Sequence, residues 1–553
     1  MIRAIRKSAF CVFVSALAMT FAGSPAVAQD EEQGATERLL PEVVVTAQKR
    51  EQNIQDVPIS ISTLSGDALA AINSAGADIR ALSNRVPSLQ IESSFGRTFP
   101  RFYIRGLGNT DFDLNSSQPV SLVYDEVVLE NPIVKGFPMF DMDRVEVLRG
   151  PQGTLFGRNT PAGIVKFESV KPSQDQDGYA RFSYGTDAQI DFEGAFGGAL
   201  SDTTSARISV LYTERDDWVD NTFTGQSDAL GGYDELAVRA QLLIEPSDDF
   251  SALLNVHSRN LNGTARLFRA NIINPGTNDL VSGFTPDTGF DRDSISIDGQ
   301  NFQDLDAFGA SAKLVWDLGA TTLTSVTGYE SVELFSRGDI DGGFGAVFAP
   351  PSGPGFIPFS AESADAIPNL DQFSQEFRLS HQGETFDWLA GLYYEESNDS
   401  WNSVWMASSD VPFQESMAYA AIRDCAEGGT TFHWGCFGSN GVLNADPADV
   451  AASLITADHL WDSRDDTDWE NKAVFGEVTW HATDNVNVTV GARWFEFSND
   501  KTYTKWILGN TASNDRHIGG YAQPLWAGTP GETASTGLSE FVPKVSLMYT
   551  LSE

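Results

Sequence analysis

Two cysteines, Cys425 and Cys436, stand ten residues apart in a stretch rich in Gly, Asp and Ser, with His433 between them. Two sulfurs and one imidazole at that spacing match no compact zinc pattern. In an exported chain a nearby pair is most simply a loop disulfide. The histidines (His257, His381, His433, His459, His481 and His517) are scattered, with no HExxH and no Ser/His/Asp arrangement. Scattered carboxylates on loops are normally solvated. The sequence therefore carries no enzyme, metal or cofactor expectation. The glycines of Arg149-Gly150-Pro151-Gln152-Gly153, with Gly157 and Gly163, suit tight turns. No strand–Gly-loop–helix unit ending in Lys-Ser/Thr follows, so they form no phosphate cradle. Phe95, Arg97, Phe99 and Arg101 interleave aromatic and cationic groups, a pattern that serves ligand contact or anchoring equally well. Trp401, Trp405, Phe413, Phe432 and Trp434 read as ligand stackers or loop packing.

Composition narrows the partners. The 553 residues hold 76 acids against 36 bases, a formal charge of −40. So acidic a chain is a poor polyanion binder, and no nucleic acid is expected. Arg3, Arg6 and Lys7 precede an apolar run from Ala9 to Ala22, and Ala26-Val27-Ala28 follows. Charge, short greasy core and small-x-small site make residues 1–28 a cleaved signal peptide. No 18-residue apolar run exists beyond them, so no spanning helix is expected.

The rest divides at about residue 172. Residues 29–50 form a flexible lead that ends in a short β-prone island. Residues 51–172 read as a compact mixed α/β domain. Its expected strands lie near 59–63, 102–105, 120–124 and 144–148, and its helices near 65–75 and 77–84. Beyond 172, segments of 9–14 residues alternate apolar and polar. Ile208, Val210 and Tyr212 oppose Arg207, Ser209 and Thr213; Leu236, Val238, Ala240 and Leu242 oppose Arg239 and Gln241. About twelve such strands follow. Short turns (199–202, 246–249, 318–320, 383–384, 483–485) alternate with long connections (260–305, 333–371, 399–470, 501–538), the asymmetry of a transmembrane β-barrel. A soluble sandwich would need several very long loops. Residues 41–172 hold 13 bases and 15 acids, whereas 173–553 hold 19 and 57, which separates the two regions by charge. The acid reads as solvated loops or as a vestibule favouring cationic or neutral ligands.

Several stretches resemble the TonB-dependent outer-membrane receptors. Asp143-Arg144-Val145-Glu146-Val147-Leu148-Arg149-Gly150-Pro151-Gln152-Gly153-Thr154-Leu155-Phe156-Gly157 is the most specific. Val57-Pro58-Ile59-Ser60-Ile61, Phe102-Tyr103-Ile104-Arg105-Gly106 and Val123-Tyr124-Asp125-Glu126-Val127 resemble other parts of the family's plug. Ser374-Gln375-Glu376-Phe377-Arg378-Leu379 and Pro543-Lys544-Val545-Ser546-Leu547 resemble barrel strands. The resemblance implies a plug domain inside an antiparallel barrel of about 22 strands. Glu42, Val43, Val44, Val45, Thr46 and Ala47 resemble the TonB box, which a periplasmic TonB-type energy-transducing protein would take up by strand addition. Arg105 and Arg149 resemble plug arginines that pair with barrel carboxylates, for which Glu376 and Glu477 are the candidates. Phe95–Arg101 sits where the family places an apical, ligand-facing plug loop.

With about twelve strands instead of 22, the wall reads as partial and the chain as truncated at its C-terminus. The resemblance implies a receptor in the Gram-negative outer membrane, in contact with outer-membrane lipid. It would import a scarce small-molecule ligand, in the first place a ferric siderophore, by energy-driven plug remodelling. An oligosaccharide or other bulky nutrient is the second expectation. A passive pore or surface adhesin is a different class, and needs neither plug nor box.

Overall fold

The computed structural model describes residues 44–50, 52–73, 78–83, 85–111, 116–269, 291–339, 342, 346–348, 355–357, 361–407, 459–483, 485–506 and 532–550. The signal peptide, Glu42, Val43, Cys425 and Cys436 lie outside these residues.

The first part is a small mixed domain. Its strands are β1 (Ser60–Ser65), β2 (Leu89–Glu92), β3 (Arg101–Ile104), β4 (Val120–Tyr124), β5 (Val127–Leu129), β6 (Met142–Arg149) and β7 (Gly163–Ser169). A five-stranded sheet runs in the order β1-β6-β7-β4-β5, and β2 pairs with β3 as a separate hairpin. Only β4 and β7 run parallel. They are buried along their whole lengths; β4 is almost wholly apolar, and in β7 the buried Lys166 and Glu168 pair with each other at 3.4 Å. Helix α1 (Gly66–Asn73) follows β1, and a one-turn helix α2 (Gly153–Phe156) follows β6. The second helix expected over 77–84 is only a 3₁₀ turn, Ile79–Leu82. Asp78 caps that turn, and the Ser83 hydroxyl exchanges hydrogen bonds with the Ile91 backbone, tying the chain to β2 before a further turn can form.

The second part is one antiparallel meander of twelve strands, in chain order. They are β8 (Asp177–Tyr184), β9 (Ile190–Ser201), β10 (Thr204–Arg215), β11 (Tyr233–Ser247), β12 (Phe250–Gly263) and β13 (Phe302–Asp317). The series continues with β14 (Thr321–Asp339), β15 (Ala361–His381), β16 (Phe386–Ala407), β17 (His459–Thr483), β18 (Val486–Trp506) and β19 (Glu532–Tyr549). Several outrun the expected 9–14 residues, and β17 reaches 25. The greasy alternation marks only the lipid-crossing part of each strand. Beyond it both faces are polar and the ladder continues unannounced.

The pleat is inside-out relative to a soluble protein. Phe182, Ile208, Leu236, Val256, Phe308, Phe377, Leu392, Val474 and Val490 are exposed on one face. The other face buries Arg207, Arg239, Gln241, Arg259, Glu376, Glu395, Asn471 and Glu477. The small domain packs on that polar face. One core joins Leu122, Tyr124, Phe140 and Phe167 to the wall residues Ala237, Leu261, Val326 and Leu370. A second joins Leu148, Leu155 and Phe156 to Tyr393, Phe475 and Phe495. Gly328 on β14 makes one close approach possible, because a Cβ there would lie 2.6 Å from Val127 Cγ1.

A Leu392→Arg change puts a guanidinium on the exposed apolar face. It should cost about 2–4 kcal/mol at mid-bilayer. Urea titration of the protein in lipid vesicles would measure that loss, with unchanged stability contradicting the assignment of faces.

Candidate functional site

The site is the seam between the small domain and the polar face of the sheet. It begins just after the β-prone island. Val45 and Ala47 are buried, while Val44 is exposed. Thr46 N donates to Glu146 Oε1 at 3.0 Å, and Lys166 Nζ donates to Thr46 O at 2.9 Å. Glu146 is the central acid of the most specific motif and is fully buried. Three residues on, Lys49 turns at φ 58° and pairs with Glu376 on β15. Arg50 pairs with Asp387 on β16 at 3.2 Å. Burial pushes the Lys49 ammonium down to about 8, against the pull of Glu376.

A second node sits at the β4–β5 turn, where Asp125 and Glu126 both take positive φ. Asp125 accepts from Ser169 N at 2.9 Å and pairs with Lys171. Glu126 reaches the wall, where Lys313 on β13 and Arg378 on β15 both pair with it. Arg378 also pairs with Glu376 at 3.0 Å. A continuous relay of charge results: Lys313, Glu126, Arg378, Glu376, Lys49. Burial opposes the Glu126 charge, but Arg378 and Lys313 hold its carboxyl well below the usual range.

A third node gathers at Asp141, at the end of the apolar run before β6. Arg207 Nη2 on β10 donates to Asp141 Oδ1 at 2.7 Å, and Ser209 also donates to it. Arg239 on β11 lies 3.4 Å from Asp141 Oδ2 and donates to the Phe140 and Asp141 carbonyls and to the Tyr124 hydroxyl. Burial again opposes the charge, and Arg207, Ser209 and Arg239 outweigh it to lower the Asp141 carboxyl.

The expected pairing of Arg105 and Arg149 with Glu376 and Glu477 does not occur. Arg149 ends β6 and donates to Pro87 O, Ser88, Ser60 and Ser62 within its own domain. Arg105 is exposed in the turn after β3, where its backbone N–H donates to Ser88 O at 3.0 Å. Glu376 takes Lys49 instead, and Glu477 takes Lys544 from β19 at 2.6 Å. Proximity decides this outcome: lysines on the lead and on a neighbouring strand lie nearer than the β6 end. The Phe95–Arg101 loop anchors. Phe95 and Phe99 are buried edge-to-face at 5.3 Å. Arg97 pairs with Glu235 on β11 at 2.8 Å and lies over the Tyr233 ring, and Arg101 pairs with Glu92 at 3.2 Å. Glu126, Asp141 and Lys49 were missed. Adjacent acids inside an apolar two-strand run, and an acid closing the run 137–140, were their signals.

Comparison with known proteins gives this seam its context. Residues 53–164 match the TonB-dependent Receptor Plug Domain. The vitamin B12 transporter BtuB of Vibrio vulnificus (strain YJ016) is 23% identical over 219 residues, 38% of this chain and 34% of that protein. The pesticin receptor of Yersinia pestis is 28% identical over 234 residues, 40% of this chain and 32% of the receptor. The chain thus spans about a third of the length of these curated relatives. Among solved structures, the ferric yersiniabactin uptake receptor FyuA from Yersinia pestis superposes with TM-score 0.63 at 18% identity, covering 90% of this chain and 62% of that one. The open form of the ferric-catecholate import receptor Fiu from E. coli K12 gives 0.60 at 16% identity, covering 93% and 71%. The small domain thus matches the plug of TonB-dependent receptors by sequence, and the chain shares its fold with solved uptake and import receptors. These relatives are transporters and receptors, not enzymes.

Glu126→Gln leaves Lys313 and Arg378 facing a neutral amide. Breaking a fully buried pair on one side costs about 3–5 kcal/mol, and the partly exposed Lys313 and Glu126 place this loss at or below the lower end of that range. Limited proteolysis of the plug in outer membranes should become correspondingly faster, and an unchanged rate would remove Glu126 from the anchor. Acid should act on the same contacts. Glu126 and Asp141 lie below their ordinary values of 4.5 and 3.8, so their contribution is complete above those values and fades as pH falls through the lower folded ones. Plug cleavage should therefore accelerate on acidification below the ordinary carboxylate range, and Glu126→Gln should flatten that response.

Proposed function

We propose that this receptor imports a scarce ligand, and that a periplasmic TonB-type partner drives the import by pulling on the segment before Lys49. The Lys49–Glu376 pair carries this reading. It joins the segment next to the TonB box to the wall, and through Arg378 and Glu126 to the plug turn. Tension on residues 42–47 loads the Thr46 bonds to Glu146 and Lys166 first, and Lys49 next. Once Lys49 leaves, Glu376 and Arg378 lose a partner, and the grip on Glu126 changes with them. A buried charge stripped of its partner is costly, so breaking one pair destabilises the next.

Residues 1–28 act as the cleaved signal peptide in this reading, and Glu42–Ala47 as the box. The ligand we favour is a ferric siderophore. The chain shares its fold with a ferric yersiniabactin uptake receptor, a ferric-catecholate import receptor and the siderophore receptor PiuA from Acinetobacter baumannii. A bulky nutrient is the second reading, supported by the B12 transporter among the curated relatives.

The test is uptake by iron-starved cells that rely on this chain. Replacing Val43–Ala47 by a Gly/Ser linker, or removing the inner-membrane energy complex, should abolish accumulation of labelled ferric siderophore. Uptake that persists in both backgrounds would reject the energised reading. Uptake of labelled cobalamin, with no response to iron limitation, would favour the second ligand class. Lys49→Gln should loosen residues 45–50, read as faster proteolysis there, while sparing the fold of the wall.

A further inference from the structure

The plug is gripped in different ways on its different sides. Toward β10, β11, β13 and β15 it is held by directed bonds: Asp141 to Arg207, Arg97 to Glu235, and Glu126 to Lys313 and Arg378. Around α2, the contacts with β17, β18 and β19 are of another kind. The Arg158 guanidinium lies over the rings of Trp469 and Phe497, at 4.7 and 3.8 Å from their centroids. Gly157, at φ 91°, leaves room for Arg493, whose Nη2 would stand 3.1 Å from a Cβ there. A Cβ on Gly153 would meet Val542 at 3.4 Å. Stacking and dispersion contacts have little directionality and part without leaving broken hydrogen bonds.

The neighbouring wall carries buried acceptors. Register sets Glu395 opposite Asn471, Asn471 opposite Phe497, and Ser397 opposite Trp469. Glu395, Ser397 and Asn471 are 1%, 0% and 3% exposed. Asn471 Nδ2 donates weakly to Glu395 Oε2 at 3.4 Å. Among the described residues, Glu395 Oε1, Ser397 Oγ and Asn471 Oδ1 have no hydrogen-bond partner. Each such group costs about 1–3 kcal/mol when left unmet, so a donor that reaches it is stabilised.

We propose that the plug parts from the wall along this seam, between residues 153–159 and the polar face of β16–β18, and that the opened path conducts a polar solute rich in hydrogen-bond donors. Arg158 leaves with the plug and vacates the faces of Trp469 and Phe497. Glu395, Ser397 and Asn471 then offer acceptors beside them. Hydroxyl- or amide-bearing solutes fit that lining. The proposal rests on the import reading above.

Ser209 and Ser397 make matched reporters, because both are buried on the polar face, one beside Asp141 and the other in the seam. Single cysteines would be placed at Ser397, Asn471 or Ser209 of the full chain in outer membranes. Labelling by two small neutral methanethiosulfonates of matched size, one alkyl and one bearing hydroxyl or amide groups, would be followed, with the parent chain's own labelling subtracted. Each reagent should modify Ser397→Cys and Asn471→Cys at least about tenfold faster than Ser209→Cys. Equal rates, or a faster Ser209→Cys, would overturn the seam. The reagent bearing hydroxyl or amide groups should lead the alkyl one at Ser397→Cys, and the reverse order would overturn the solute class. Repeating the series without the energy complex separates the two readings. A site preference that survives unchanged supports the seam and rejects energised gating.

Discussion

Arg239 is fully buried between a membrane wall and a folded plug, and a guanidinium there cannot be left without acceptors. Tyr124, the Phe140 and Asp141 carbonyls and the Asp141 carboxylate supply them, all from the plug. That requirement organises the whole assembly. Lipid takes the greasy faces of the strands, so most charged and amide side chains of the lipid-crossing alternation turn inward. A wall built in this way is incomplete without a body that satisfies it. The plug is that body, and its buried acids at Asp141 and Glu126 are as necessary to the wall as the wall's bases are to the plug.

The same physics makes the grip breakable. An ion pair drawn out of water gains little over a hydrophobic contact of the same size, yet removal of one partner is expensive. The relay from Lys49 through Glu376, Arg378 and Glu126 to Lys313 stands intact or fails in sequence. It ends at Lys49, next to the segment that the import reading assigns to a pulling partner. Stacked and dispersive contacts on the β17–β19 side offer no comparable resistance. A plug held firmly on one side and loosely on the other opens on the loose side.

Much of this was legible in the sequence. The period of two set both faces of the wall, and Arg207, Ser209 and Arg239 fell on the polar phase before any partner was known. The Asp143–Gly157 motif marked the plug. What failed was long-range pairing. Arg149 resembled a wall-binding arginine, but it sits at the end of β6, within reach of Ser60, Ser62 and Ser88 of its own domain. Nothing in the spacing of Lys49 and Glu376 reports that they meet across 327 residues. Strand ends were also underestimated, because outside the lipid band neither face needs to be apolar.

The central claim is that plug and wall are one bonded unit. Native-state hydrogen exchange of the membrane-embedded chain tests it most directly. The amides of β4, β6 and β7 should open with free energies close to those of β11 and β15, because the plug cannot unfold without stranding Arg239 and Arg378. Plug amides that exchange orders of magnitude faster, as a separate cooperative unit indifferent to the wall, would contradict it.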